Sequence, residues 1–303
     1  MENGRNHSLR HKIKFSYRDE TKQLNDVTRR SADGCFIQLP DGVTHYELGG
    51  PESGDVVVLV PGFSVPYFIY DPTFQFLTQA GFRVLRYDLF GRGFSDRPAA
   101  RYNMDLFVSQ LASLLEALCF KRAVNLIGLS IGGPIAATFT VHYPEGVNKL
   151  VLIDAAGVRP ISLTPMLKMA KLPFVAEAVL SWSGSESMVK SLVKDLFDPA
   201  LVEHFTSRDR IQMEFRGFIN TIFSTIRNGM LDSCIQVCEA LGRMDNEILL
   251  LWGREDRAIP FEHSFDLQAV LPYMNFHVIK NTGHIPHYEK PAEVNPVLLE
   301  FLR

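Results

Sequence analysis

The feature that most constrains this chain is a serine set between glycines, Gly128-Leu129-Ser130-Ile131-Gly132. A mostly apolar run, Val124 to Leu129, precedes it, and a segment of small and apolar residues, Gly133 to Phe139, follows. That order predicts a buried strand, a tight turn and a helix. A serine at the tip of such a turn occupies strained backbone and exposes its hydroxyl. Gly128 and Gly132 would leave room for neighbouring backbone that a side chain would block. The Ile131 N–H, at the helix start, can face an oxyanion. Glycine and serine also make ordinary turns. The placement between strand and helix is what points to a nucleophile.

The surrounding pattern is that of an α/β protein. Val56-Val57-Val58-Leu59-Val60 is a continuous apolar run, as expected of a strand covered on both faces, and Phe82 to Tyr87 reads as a second such strand. Tyr67 to Gln79 has helical spacing, and Met104 to Cys119 carries an apolar helical stripe. Lys149 to Ile153 is a further strand, ending at Asp154. Strands alternating with helices predict a parallel sheet wrapped by helices. Upstream, Gly34 to Leu39 and Val43 to Leu48 flank Pro40-Asp41-Gly42, which predicts a β-hairpin.

After Asp154 the alternation stops. Residues 157–243 hold apolar segments of helical character, broken by Pro160, Pro165, Pro173, Gly184, Pro199 and Gly229. The α/β pattern resumes with a strand from Glu247 to Trp252, a helix from Phe261 to Val270, a strand from Asn275 to Ile279 and a last helix from Ala292 to Leu302. The expected organisation is a core of residues 31–156 and 244–303 with a helical cap, 157–243, above the strand carboxyl ends. Sites in such sheets lie at that edge. Residues 1–30 carry eight Lys/Arg against four Asp/Glu and read as a polar, basic, solvated extension. A membrane-surface or acidic-partner arm is the alternative for them.

Composition excludes several classes. With 31 Lys/Arg against 34 Asp/Glu, the net charge of −3 gives no electrostatic reason to expect nucleic acid. Cys35, Cys119, Cys234 and Cys238 are too scattered for a disulfide framework. Cys234 and Cys238 share a helix face, but no histidine or acidic cluster beside them completes a metal site. No apolar run reaches the roughly 18 residues of a spanning helix, and the amino terminus has no apolar signal-peptide core. A soluble, cytoplasmic protein is expected.

A serine hydroxyl needs a base, usually a histidine oriented by a carboxylate. The chain has nine histidines, so position must choose. His284 follows the last strand, and Asp256 follows the strand before it. Both therefore belong to the edge that holds Ser130. Glu255 and Asp154 are rival acids, and His287 is a nearby histidine better suited to a structural role. The second oxyanion donor should come from the loop after an earlier strand, and the Phe63 N–H in Pro61-Gly62-Phe63 fits.

These stretches, together with Tyr87 to Asp96, Gly253-Arg254-Glu255-Asp256 and Gly283-His284, resemble the α/β-hydrolase superfamily from about residue 34 to 303. The resemblance implies a mostly parallel sheet flanked by helices, with an inserted helical cap. It implies Ser130 as nucleophile, Asp256 as acid, His284 as base, and Phe63 and Ile131 as backbone oxyanion donors. It requires no metal or organic cofactor. Pro61 stands where the first motif usually begins with histidine. A serine at the elbow argues against haloalkane dehalogenases and epoxide hydrolases, which use aspartate there. Carbon–carbon bond hydrolases of the family often place an aromatic residue directly after the histidine, whereas Ile285-Pro286 follows here. The expected function is hydrolysis of a small-molecule, apolar carboxylic ester, as in carboxylesterases and lipases. Lactone, thioester, amide or carbon–carbon hydrolysis, perhydrolysis, and slow receptor-like ligand binding remain the alternatives.

Overall fold

In the computed structural model, residues 17–162, 168, 171 and 196–303 are described. The hairpin is β1 (Cys35–Leu39) and β2 (Gly42–Gly49), antiparallel, with Leu39 opposite Gly42. The parallel strands are β3 (Val56–Val60), β4 (Arg83–Tyr87), β5 (Val124–Leu129), β6 (Val147–Ile153), β7 (Glu247–Gly253) and β8 (Asn275–Ile279). They join the hairpin in one sheet of order β1-β2-β4-β3-β5-β6-β7-β8. Every residue of β5 is buried, and so are Val57 to Val60 of β3. Helices flank the sheet, so strands covered on both faces have no polar alternation.

Helix ends follow local chemistry. The expected helix from Tyr67 divides into a 3-10 turn, Tyr67–Tyr70, and an α-helix, Asp71–Gln79. Pro72 lies in the first turn of that α-helix, where its missing N–H costs nothing. Asn103 caps the helix Met104–Ala117 by accepting from the Leu106 N–H at 3.1 Å. That helix buries Phe107, Leu111, Leu114 and Leu115 of the stripe Phe107, Leu111, Leu114, Leu115 and Leu118 read from the sequence, and Leu106 besides; Leu118 is the C-cap and half-buried.

Between β6 and β7 the described residues form the helices Val202–Met213, Phe218–Arg227 and Ile235–Leu241 and add no strand to the sheet. Residues 163–167, 169–170 and 172–195 of the expected cap lie outside the described residues. Polar groups join these helices to the loop after β4. Thr221 Oγ1 donates to the Gly91 carbonyl at 3.0 Å, and Gln212 Oε1 accepts from the Gly93 N–H at 2.8 Å. The Phe218–Arg227 helix also buries Phe218, Ile219, Ile222, Phe223 and Ile226. No helix among the described residues is long and apolar enough to cross a membrane.

Most of residues 17–30 are solvent-exposed, as expected of an extension, but Tyr17, Glu20 and Arg29 are buried; residues 1–16 lie outside the description. Tyr17 is buried and its hydroxyl donates to Asn220 Oδ1 at 3.0 Å. Glu20 accepts from the Gly217 and Ile219 N–H groups, at 2.7 and 2.8 Å. Arg29, inside the short helix Asp26–Arg29, is buried and pairs with Asp96 at 2.5 Å. The segment docks through polar side chains that find partners far along the chain, so composition alone reads it as solvated.

A second buried pair fixes the front of the sheet. His45 Nδ1 meets Asp88 Oδ2 at 2.7 Å, and His45 Nε2 meets the Asp33 carbonyl at 2.6 Å. Asp88 also accepts from the Tyr67 and Phe94 N–H groups, at 2.8 and 3.0 Å. Burial alone would lower the His45 pKa. The charge and hydrogen bond of Asp88, helped by the Asp33 carbonyl, outweigh it and raise the pKa above 6.5. A raised folded-state value contributes stability that is complete below the unfolded pKa and lost as pH rises through the folded one. The stability difference between wild type and His45→Gln is therefore expected to shrink from mildly acidic to alkaline pH. Urea unfolding of both proteins across that range checks it, and a pH-independent difference would refute it.

Candidate active site

The elbow is built by close backbone approach. Ser130 has φ of 55°, left-handed backbone that a serine seldom adopts. Its N–H donates to the Ile153 carbonyl at 3.0 Å, and its own carbonyl accepts from Gly133 and Ala156, each at 3.0 Å. A Cβ at Gly132 would come within 2.3 Å of the Val60 carbonyl oxygen, and one at Gly128 within 2.4 Å of the Gly132 oxygen. Neither position accepts a side chain. The turn is clamped between β3, β5 and β6, and the strain at Ser130 is held by these neighbours.

The elbow sits against the loop after β3. A Cβ at Gly62 would lie 3.3 Å from Ser130 Cβ. Ile131 directly precedes the helix Gly132–His142, so its N–H lies at the positive end of that helix. Among the described residues, neither the Phe63 nor the Ile131 N–H has a hydrogen-bond acceptor. The structure thus brings Ser130, Phe63 and Ile131 together with two N–H groups unspent.

The acid and the histidine meet on loops after β7 and β8. His284 Nδ1 lies 2.8 Å from Asp256 Oδ2, with both residues buried. Nδ1 carries the proton against a carboxylate, which leaves Nε2 as the basic atom. Asp256 Oδ1 accepts from the Ala258 and Ile259 N–H groups, at 2.7 and 2.9 Å. Of the rival acids, Glu255 Oε2 accepts from the Thr282 N–H at 3.2 Å. Asp154 lies beside the pair: the donor atoms of Asp154, Asp256 and His284 all fall within 4.8 Å of one another. Asp154 follows Ile153, whose carbonyl holds Ser130, so this contact carries the histidine loop back across β7 and β6 toward the elbow. The spacing of the three would suit a cation, yet Asp256 already spends both oxygens on N–H donors. His287 is fully buried, and its ring centre lies 4.8 Å from that of Tyr70, the two rings tilted by 38°. Burial, with the nearby His284, lowers its pKa to about 3, so it is neutral at ordinary pH.

A strained serine after a central strand and a buried Asp–His pair at the same sheet edge form one recognisable arrangement. Residues 57–297 match the model of the alpha/beta hydrolase family. The chain belongs to that family. The 2-hydroxymuconate semialdehyde hydrolase of Pseudomonas sp. strain CF600 is 31% identical over 226 residues, covering 73% of this chain and 76% of that one. A meta-cleavage product hydrolase from Pseudomonas fluorescens IP01 shares the fold with a TM-score of 0.74 and 26% identity, over 89% of this chain and 97% of that one. A bacterial membrane phospholipase A gives a TM-score of 0.72 and 26% identity, over 88% and 84%.

Two residues of this alpha/beta hydrolase support the site without being singled out by the sequence. Arg92 is fully buried; its Nε donates to the Phe63 carbonyl at 2.8 Å and its Nη2 to Thr225 Oγ1 at 2.9 Å. It ties the Phe63 peptide to the helix Phe218–Arg227. Burial brings its pKa down to about 9. Glu289 accepts from the Gly283 N–H at 2.8 Å with one oxygen and from the Phe197 and Asp198 N–H groups, at 2.7 and 2.9 Å, with the other. It fastens the histidine loop to the inserted segment. Arginine and glutamate are ordinary surface residues, so only their long-range partners reveal them.

Gly132→Ala is expected to destabilise the fold by about 1–3 kcal/mol, because the obstructing atoms are backbone. Gly146→Ala, whose Cβ would lie 3.5 Å from its nearest neighbour, should stay within about 0.5 kcal/mol of wild type. Denaturant midpoints of the two variants test the clamp, and equal midpoints would contradict it.

Proposed function

We propose that this alpha/beta hydrolase is a serine hydrolase that cleaves a small, largely apolar ester through an acyl-enzyme. The observation that carries the reading is the buried 2.8 Å contact between His284 Nδ1 and Asp256 at the sheet edge that holds Ser130. Ser130 Oγ attacks the carbonyl carbon while His284 Nε2 takes its proton. The tetrahedral oxyanion is stabilised by the Phe63 and Ile131 N–H groups. His284 then returns the proton to the leaving alkoxide, and the alcohol departs. Water, deprotonated by His284, attacks the acyl carbon and releases the acid and Ser130. No proton is gained or lost by the triad over the cycle.

The described helices Val202–Met213, Phe218–Arg227 and Ile235–Leu241 serve as part of the cap in this reading and supply apolar surface to the acyl group. Arg92 helps to hold the Phe63 N–H in position by tying its peptide to the helix Phe218–Arg227.

A second reading is favoured by the relatives. The 31%-identical Pseudomonas enzyme is named as a semialdehyde hydrolase, and the solved meta-cleavage product hydrolase is comparably similar. The same serine, base and oxyanion donors suit water-assisted cleavage of a carbon–carbon bond next to a ketone. Ile285-Pro286 after the histidine, and the similarity to a phospholipase A, weigh toward the ester.

A panel of p-nitrophenyl esters from acetyl to palmitoyl, run beside a 2-hydroxy-6-oxo-dienoate, separates the two. Ester turnover that Ser130→Ala reduces at least about 10³-fold is expected. Turnover of the dienoate alone would establish the second reading. Ester turnover unchanged in Ser130→Ala would sink the nucleophile assignment. Asp256→Asn is expected to leave the fold intact and lower kcat by about 10⁴, because the amide no longer holds the required histidine tautomer.

A further inference from the structure

Asp154 ends β6, is fully buried and has φ of 43°. A non-glycine residue is held in that conformation only when its surroundings demand it. Its Oδ1 accepts from the Gly253 N–H at 2.9 Å. Its Oδ2 is buried and receives no donor among the described residues. An orphaned oxygen of this kind is costly to bury. Its neighbour is the carboxyl of Asp256, within the same 4.8 Å cluster.

Two buried carboxylates this close cannot both carry charge near neutral pH. The surrounding donors decide which one keeps the proton. Asp256 receives three N–H groups, from Ala258, Ile259 and His284. Asp154 receives one. The negative charge therefore belongs on Asp256 and the proton on Asp154. A proton on Oδ2 gives the orphaned oxygen a partner and gives Asp256 a fourth donor, which fills its lone-pair sites.

We propose that Asp154 is a neutral carboxylic acid whose Oδ2–H donates to Asp256 and fixes that carboxylate against His284. It acts as a positioning residue, through Asp256, and does not touch the substrate. The charged groups facing it are Asp256, Glu289 and, when protonated, His284. Burial, then the charge of Asp256 and the hydrogen bond to it, hold the Asp154 proton well above the usual carboxyl range. The Gly253 N–H opposes this, and Glu289 adds to it. The catalytic consequence rests on the triad reading above; the location of the proton does not.

Asp154→Asn tests the inference directly. The amide keeps an acceptor for Gly253, supplies an N–H donor for Asp256, and asparagine tolerates left-handed backbone. Ester turnover within a few-fold of wild type is expected, with activity kept at alkaline pH where the wild type declines as Asp154 ionises. Asp154→Ala, which lacks the donor, should lose on the order of 10–100-fold in kcat with little change in KM. Infrared difference spectra of wild type against Asp154→Asn at neutral pH should show one buried carboxylic-acid carbonyl stretch in the wild type alone. Absence of that band overturns the proposal, whatever the activity. A loss in Asp154→Asn as deep as in Asp154→Ala overturns the positioning role. If the band is present but Ser130→Ala leaves turnover unchanged, the triad reading fails and the proton assignment stands.

Discussion

The site depends on one backbone constraint: a serine held in left-handed conformation at the end of a fully buried strand. Ser130 makes backbone hydrogen bonds to Ile153, Gly133 and Ala156, so three partners over-determine its dihedrals. That is affordable only because Gly128 and Gly132 let the β5 turn, the helix start and the end of β3 approach within distances no side chain allows. The same compression sets the Phe63 loop beside the serine and aims the start of the Gly132–His142 helix at it. Strain, the two N–H groups without acceptors beside the serine, and strand packing are thus one arrangement seen from three sides.

Electrostatics at the other half of the site follow from burial. Asp154, Asp256 and His284 share a buried cluster at the ends of β6, β7 and β8. Low local polarity makes the distribution of donors decisive, because each unmatched polar atom there costs free energy. Asp256 collects N–H groups from its own loop and from His284, and Asp154 lies beside it at the end of the neighbouring strand. Glu289 then fixes the loop that carries His284 from the opposite side.

The loop after β4 joins the core to the inserted helices. Gly91 and Gly93 bond to Thr221 and Gln212, and Arg92 reaches both Phe63 and Thr225. Arg208 pairs with Asp71, and its guanidinium lies 4.3 Å from the centre of the Phe68 ring. These are polar contacts inside largely apolar surroundings. They set a specific orientation between elements where apolar packing alone would allow sliding.

Much was legible in sequence. The mostly apolar runs at 56–60, 124–129 and 248–252 reported buried parallel strands, because strands covered on both faces have little polar alternation to blur them. The positions of Ser130, Asp256 and His284 after the parallel strands β5, β7 and β8 placed them at one edge, since parallel strands all end on the same side. Glycine spacing announced the elbow because only glycine permits those approaches. Other features required the tertiary structure. The docking of Tyr17, Glu20 and Arg29 depends on partners at Asn220, at Gly217 and Ile219, and at Asp96, which local composition cannot report. The same holds for the buried roles of Arg92 and Glu289. Sequence position left Asp154, Glu255 and Asp256 as competing acids, all near strand ends. Only the distances gave His284 to Asp256, because pairing between loops is set by how strands β6, β7 and β8 lie side by side and not by the order of residues along the chain.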